Sequence, residues 1–103
     1  CINTAGEKVY PEEVEESIKR HDDVVDCLVV GLEDEKFGQR VTAVASLKGT
    51  DAVSGEDLRE FLRDKLAAYK MPKQIIIVDQ VRRAPNGKAD YKWARGVLEE
   101  ATG

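Results

Sequence analysis

Two strand-like runs, Val24 to Leu32 and Gln39 to Lys48, are separated only by the polar stretch Glu33-Asp34-Glu35-Lys36-Phe37-Gly38. Two such runs joined by a short turn containing a glycine are most simply an antiparallel hairpin. The remaining apolar residues must then supply its cover. Ile2 to Val9 turns through Gly6 and reads as a small hairpin or loop. Pro11 suits a first helical position and is followed by acids that suit a helix amino terminus, with Val14, Ile18 and Tyr10 on the buried side and an end near Arg20. Ser54 is a helix N-cap with Asp57 three residues on, a variant of the capping box, and Leu58, Phe61, Leu62 and Leu66 form one apolar stripe. Pro72 stops any helical continuation. Gln74 to Val78 is a third strand, in which Ile75-Ile76-Ile77-Val78 reads as buried. Asp90 can cap a third helix running to Glu100. The expected fold is α+β, a mostly antiparallel sheet of about three strands plus an amino-terminal hairpin, packed with three helices.

The 103 residues allow one compact domain, large enough to bury roughly two-thirds of its unfolded surface. A net charge of −4, with acids and bases interspersed, argues against a nucleic-acid surface. No apolar run approaches the length of a membrane span, and the start lacks the basic-then-apolar pattern of a signal peptide, so a cytoplasmic location is the default expectation. Cys1 and Cys27 are too few and too far apart for a structural zinc site, and no metal ligands are assigned. Cys27, inside a strand, reads as core. His21 reads as a surface residue at a helix end.

The segment Val81-Arg82-Arg83-Ala84-Pro85-Asn86-Gly87-Lys88-Ala89-Asp90 places a lysine where a strand hands over to a helix. Asn86-Gly87 supplies a turn that tolerates positive φ. On these residues alone, a catalytic cation and a solvated lysine on a surface turn are both open.

Three motifs in order carry a resemblance across nearly all of the chain. They are Ala5-Gly6-Glu7-Lys8-Val9-Tyr10-Pro11-Glu12-Glu13-Val14-Glu15, Tyr69-Lys70-Met71-Pro72 and Asn86-Gly87-Lys88. Together the chain resembles the carboxy-terminal domain of the AMP-forming acyl-CoA synthetase superfamily. Ile2-Asn3-Thr4 and Asp90-Tyr91-Lys92-Trp93-Ala94-Arg95 look most like the fatty-acid CoA ligases of actinobacteria. The resemblance implies that residues 1–103 are one mobile domain, with a preceding amino-terminal domain as partner that holds most of the ATP, magnesium and acyl pockets. This chain alone is then expected to be inactive.

The resemblance also implies roles. Lys88 would be the catalytic cation that stabilises charge building up as a carboxylate attacks ATP. Gly6 would line the tunnel admitting the pantetheine arm of coenzyme A, where a missing side chain leaves room for a thin chain. Lys8 lies where some relatives place a polar active-site residue, and Lys70 is a candidate for the nucleotide part of coenzyme A. Both are equally readable as exposed bases. Tyr69 reads as a packing residue, and Arg82, Arg83 and Lys92 as a solvated basic edge. Asn3 and Ala5 depart from the family, where many members have a basic residue and a Gly or Ser. The implied function is acyl-adenylate formation from a fatty acid or other carboxylate and ATP, then thioester formation with coenzyme A. The alternatives are an adenylation domain loading a carrier-protein phosphopantetheine, or a non-catalytic interaction module.

Overall fold

The computed structural model describes residues 1–49 and 53–102. Its elements in chain order are β1 (Ile2–Thr4), β2 (Glu7–Val9), α1 (Pro11–Lys19), β3 (Val24–Asp34), β4 (Gly38–Leu47), α2 (Gly55–Leu62), a 3-10 turn (Ala68–Lys70), β5 (Gln74–Ile77) and α3 (Tyr91–Thr102). The long hairpin β3–β4 is antiparallel and runs from Val24↔Leu47 to Asp34↔Gly38. On the other side of β4, β5 pairs in parallel over Thr42↔Gln74 to Ala45↔Ile77, and the antiparallel β1–β2 hairpin joins at Thr4↔Gly38. The sheet therefore has five strands and is mostly antiparallel.

Both faces of this sheet are covered, which is why the middle of β3 reads as an unbroken apolar run and not as an alternation. Cys27 and Val29, with Val41, Ala43 and Ala45 of β4, pack under Val14 and Ile18 of α1 and Leu58 and Leu62 of α2. Leu28, Val30 and Leu32, with Val44, pack under Ala94 and Leu98 of α3. Each helix starts where its sequence says it should. Pro11 opens α1, with Glu12 and Glu13 in its first turn and Lys19 in its last. Ser54 and Asp57 complete both bonds of a capping box on α2. Asp90 accepts from the Trp93 N–H at 3.0 Å and caps α3.

Several expectations change. Tyr10 is 57% exposed and not on the buried side, because α1 begins after it and the apolar stripe starts at Val14. Tyr69 is 41% exposed, while Pro72 in the same motif is fully buried, so the packing residue is the proline. Of the third strand only Ile75 is buried, and Ile77 belongs to neither apolar cluster. Leu66 packs on the core but lies past the end of α2. Among the described residues, no helix is long and apolar enough to cross a membrane.

Candidate functional site

The Lys88 turn is a short hairpin between β5 and α3. Gly87 N–H donates to Ala84 O at 2.8 Å, Ala84 N–H donates to Lys88 O at 2.8 Å, and Arg83 bridges Ala89 across the pair. Pro85 occupies the second position of this turn, where its fixed φ fits, and Gly87 follows with φ +85. A turn followed by one left-handed residue is a favoured three-residue hairpin connection, and glycine adopts that conformation without strain. Asn86 Oδ1 accepts from the Lys88 N–H at 3.1 Å and closes the tip. Residues 85–88 are exposed. Among the described residues, nothing pairs with the Lys88 ammonium.

Arg83 is not part of a free basic edge. Its Nε donates to Asp26 Oδ2 and its Nη2 to Asp26 Oδ1, both at 2.8 Å, a two-pronged grip on one carboxylate. That guanidinium holds the Asp26 carboxyl below the usual carboxylate range, and Asp26 in turn raises the Arg83 pKa. The two residues are 57 apart in sequence, so no local pattern announces the pair.

The other expected site residues lie elsewhere. Ala5 and Gly6 have φ of 52 and 82 and form the two-residue turn between β1 and β2, the conformation favoured for tight hairpins. A Cβ built on Gly6 would meet nothing within 4 Å, so its positive φ is what favours glycine there. Ala5 N–H donates to Phe37 O at 2.8 Å, fastening this turn to the end of the β3–β4 hairpin. Lys8 is exposed on β2, opposite Asn3. Lys70 Nζ donates to both oxygens of Glu13, at 2.8 and 3.1 Å, and that bond raises its pKa.

Sequence reasoning did not single out Phe37 and Lys73. The Lys73 ammonium lies 4.9 Å and the Lys36 ammonium 5.5 Å from the Phe37 ring centre, within the range of cation–π attraction. Lys73 is brought there by its N–H donating to Val41 O at 2.8 Å. The sequence signal that could have found this group was an aromatic residue beside a lysine in an otherwise polar turn.

Two separate loci result. Gly6, Lys8, Phe37 and Lys73 lie toward the Asp34–Gly38 end of the long hairpin, where β1 also joins it, and Lys70 is held on Glu13 of α1. Lys88 is tied through Arg83 to Asp26, near the far end of β3. Asp34 lies eight residues along β3 from Asp26, roughly 26 Å of extended chain. The structure thus brings the Gly6 group together and leaves Lys88 apart from it.

The sequence profile of the AMP-binding enzyme C-terminal domain matches residues 13–88. A 3-oxocholest-4-en-26-oate–CoA ligase of Rhodococcus rhodochrous is 50% identical over 94 residues, which make up 91% of this chain and 17% of that enzyme. A medium/long-chain-fatty-acid–CoA/3-oxocholest-4-en-26-oate–CoA ligase of Mycobacterium tuberculosis is 49% identical over 98 residues, 95% of this chain and 18% of that enzyme. A solved fatty acyl CoA synthetase from Mycobacterium tuberculosis superposes with a TM-score of 0.80 at 34% identity, covering 96% of this chain and 19% of that one. The chain spans less than a fifth of the length of these relatives.

Proposed function

Because the chain belongs to the AMP-binding enzyme C-terminal domain family, we propose that it serves as the catalytic lid of an ATP-dependent, AMP-forming acyl-CoA synthetase whose substrate is a fatty acid or a similarly apolar carboxylate. The observation carrying this reading is the separation of two chemically distinct loci on one small sheet. One bears an exposed ammonium that nothing pairs with among the described residues, and the other an Ala-Gly turn beside clustered ammoniums.

In the first half-reaction a carboxylate oxygen bonds to the α-phosphorus of ATP, the bond to the bridging oxygen breaks, and pyrophosphate leaves. Negative charge develops where the two anions meet. A preorganised ammonium at that point lowers the barrier, and Lys88 is free to supply it. In the second half-reaction the coenzyme A thiol gives up its proton, its sulfur bonds to the acyl carbon, and AMP leaves. Gly6 then forms one wall of the passage for pantetheine. Its open surroundings within this domain mean that any limit on size there would come from the amino-terminal partner domain. The loci are too far apart to occupy one reaction centre together, so the domain turns between the steps.

Phe37 offers a ring for the adenine, and Lys73, Lys36 and Lys8 offer charge for the phosphates of coenzyme A. Lys70 joins them by exchanging Glu13 for a phosphate. This cationic group favours coenzyme A over a carrier-borne pantetheine, which lacks the 3′-phosphate nucleotide. Among the described residues, no cluster of three or more His, Cys, Asp or Glu is placed to hold a metal ion. The family resemblance assigns ATP and its magnesium mainly to the partner domain. A cytoplasmic location is consistent with an enzyme that consumes ATP and coenzyme A.

The test uses the full-length ligase carrying this domain. Lys88→Ala should slow acyl-dependent pyrophosphate exchange at least about 100-fold, the scale of one preorganised contact, while transfer from supplied acyl-AMP to coenzyme A persists. Equal loss of both steps in a folded protein would overturn the two-locus reading.

A further inference from the structure

Lys88 is carried by a hairpin with few supports of its own. Two backbone bonds and one bridge close it, and residues 85–88 stand in solvent. An isolated two-stranded hairpin is marginal in water. A catalytic charge at its tip would wander by more than the tolerance of an in-line phosphoryl reaction unless something outside the hairpin held it.

That support comes from β3. Between the buried Val81 and the start of α3, the Arg83–Asp26 pair is the polar tie between hairpin and sheet among the described residues. The guanidinium also reaches Gly87 O through Nη1 at 3.4 Å, so one planar group spans the strand and the residue just before Lys88. Its fork fixes orientation as well as distance, which an ammonium in its place would not do.

The position of Asp26 is itself built. The β3–β4 register shifts between Val24 and Asp26, so that Val25 is an extra residue bulged out and 56% exposed. With the bulge, Val24 and Cys27 both enter the core under α1 and α2. Asp26 is left on the alternate face with Leu28, the face that α3 and its preceding hairpin cover. Asp26 Oδ1 additionally accepts from the Cys27 N–H at 2.9 Å, which locks the carboxylate's rotation. Its side chain is 21% exposed and that of Arg83 34%. Solvent at that level weakens the pair's contribution to stability but leaves its geometry intact.

We propose that Arg83 and Asp26 are positioning residues for Lys88, the bidentate clamp holding the hairpin so that the ammonium is presented to the adenylation centre in one place. The inference rests on the reading of Lys88 as the adenylation cation. Neither clamp residue touches substrate. Both act only through Lys88, and only in the half-reaction that uses it.

The experiment measures the two half-reactions in the full-length ligase for Arg83→Gln, Arg83→Lys, Asp26→Asn, Arg82→Gln, Lys88→Ala and the Arg83→Gln/Lys88→Ala pair, with thermal unfolding of each. Asp26→Asn retains the acceptor for Cys27 N–H and guards against an unfolded Arg83 variant. Arg83→Gln and Asp26→Asn should each lower kcat for pyrophosphate exchange about 10-fold with KM for ATP nearly unchanged, a loss within the range that misplacement causes. Transfer from supplied acyl-AMP should be unaffected. Arg83→Gln should cost nothing further once Lys88 is alanine, because the clamp then has nothing to position. Arg83→Lys, which keeps the charge without the fork, should recover exchange only in part. Multiplicative losses in the pair, equal slowing of both half-reactions, or the same loss from Arg82→Gln would overturn the clamp. Full exchange by Lys88→Ala would instead remove the reading of Lys88 on which the clamp rests.

Discussion

The Tyr91 hydroxyl donates to Glu15 Oε2 at 2.9 Å, although the two residues are 76 apart in the chain. The same oxygen accepts from the Val29 N–H at 2.9 Å. One buried carboxylate therefore ties α1, β3 and α3 together and satisfies a backbone donor on a strand that lacks a neighbour on that side. Glu15→Ala should destabilise the domain by about 2 kcal/mol in urea unfolding, because it leaves the Val29 N–H buried without a partner. Tyr91→Phe, which removes one bond and strands no backbone group, should cost about 1 kcal/mol.

Glu15 and Asp26 should respond to pH with opposite sign. Burial pushes the Glu15 carboxyl above its ordinary value, with the Val29 and Tyr91 bonds opposing the rise. Its contribution is thus fully present below the unfolded value near 4.5 and is lost as pH rises through the folded one. Arg83 lowers Asp26, whose contribution is present above the unfolded value near 3.8 and lost as pH falls through the folded one. Melting curves of wild type against Glu15→Gln should show the wild type's relative stability declining as pH rises above the unfolded value near 4.5. Against Asp26→Asn, the wild type's advantage should hold at neutral pH and fade below about pH 4.

Gly55, the first residue of α2, sits directly against the backbone carbonyl of Ile75 on β5, and a Cβ there would overlap that oxygen. Alanine ordinarily favours a helix by about 1 kcal/mol over glycine. Here Gly55→Ala should instead destabilise by about 2 kcal/mol, the scale of overpacking at a contact that backbone cannot vacate. Urea midpoints of the two proteins decide the sign.

The coenzyme A end has its own test in the full-length ligase. Gly6→Leu should leave pyrophosphate exchange largely intact and slow thioester formation at least about 10-fold, since its side chain would obstruct the thiol's approach. Lys73→Ala and Phe37→Ala should raise KM for coenzyme A about 10-fold, the scale of one lost charge-assisted or stacking contact. Lys70→Ala should have a smaller effect than Lys73→Ala, because Lys70 must first release Glu13. Steady-state kinetics over a range of coenzyme A concentrations distinguishes these outcomes. An unchanged KM in Lys73→Ala would remove that residue from the nucleotide site.

The periodicity of Val14, Ile18, Leu58 and Leu62, and the caps at Pro11, Ser54 and Asp90, were sufficient to place the helices, because these signals act within one turn of the chain. The β3–β4 hairpin and the Lys88 turn were legible for the same reason: a short polar connection and an Asn-Gly pair shape the backbone locally. The three motifs placed Lys88 and Gly6 in a family. What they could not convey was distance. Exposure depends on which element lies above a residue, so Ile77 on β5 and Tyr69 in the 3-10 turn looked buried in sequence and are exposed in the fold. The pairs that organise the sites, Arg83 with Asp26, Glu15 with Tyr91 and Lys73 with Phe37, join segments far apart in sequence. Their geometry is decided by the β3 bulge, by the parallel seating of β5 and by the packing of α3, so only the assembled sheet could bring those charges together.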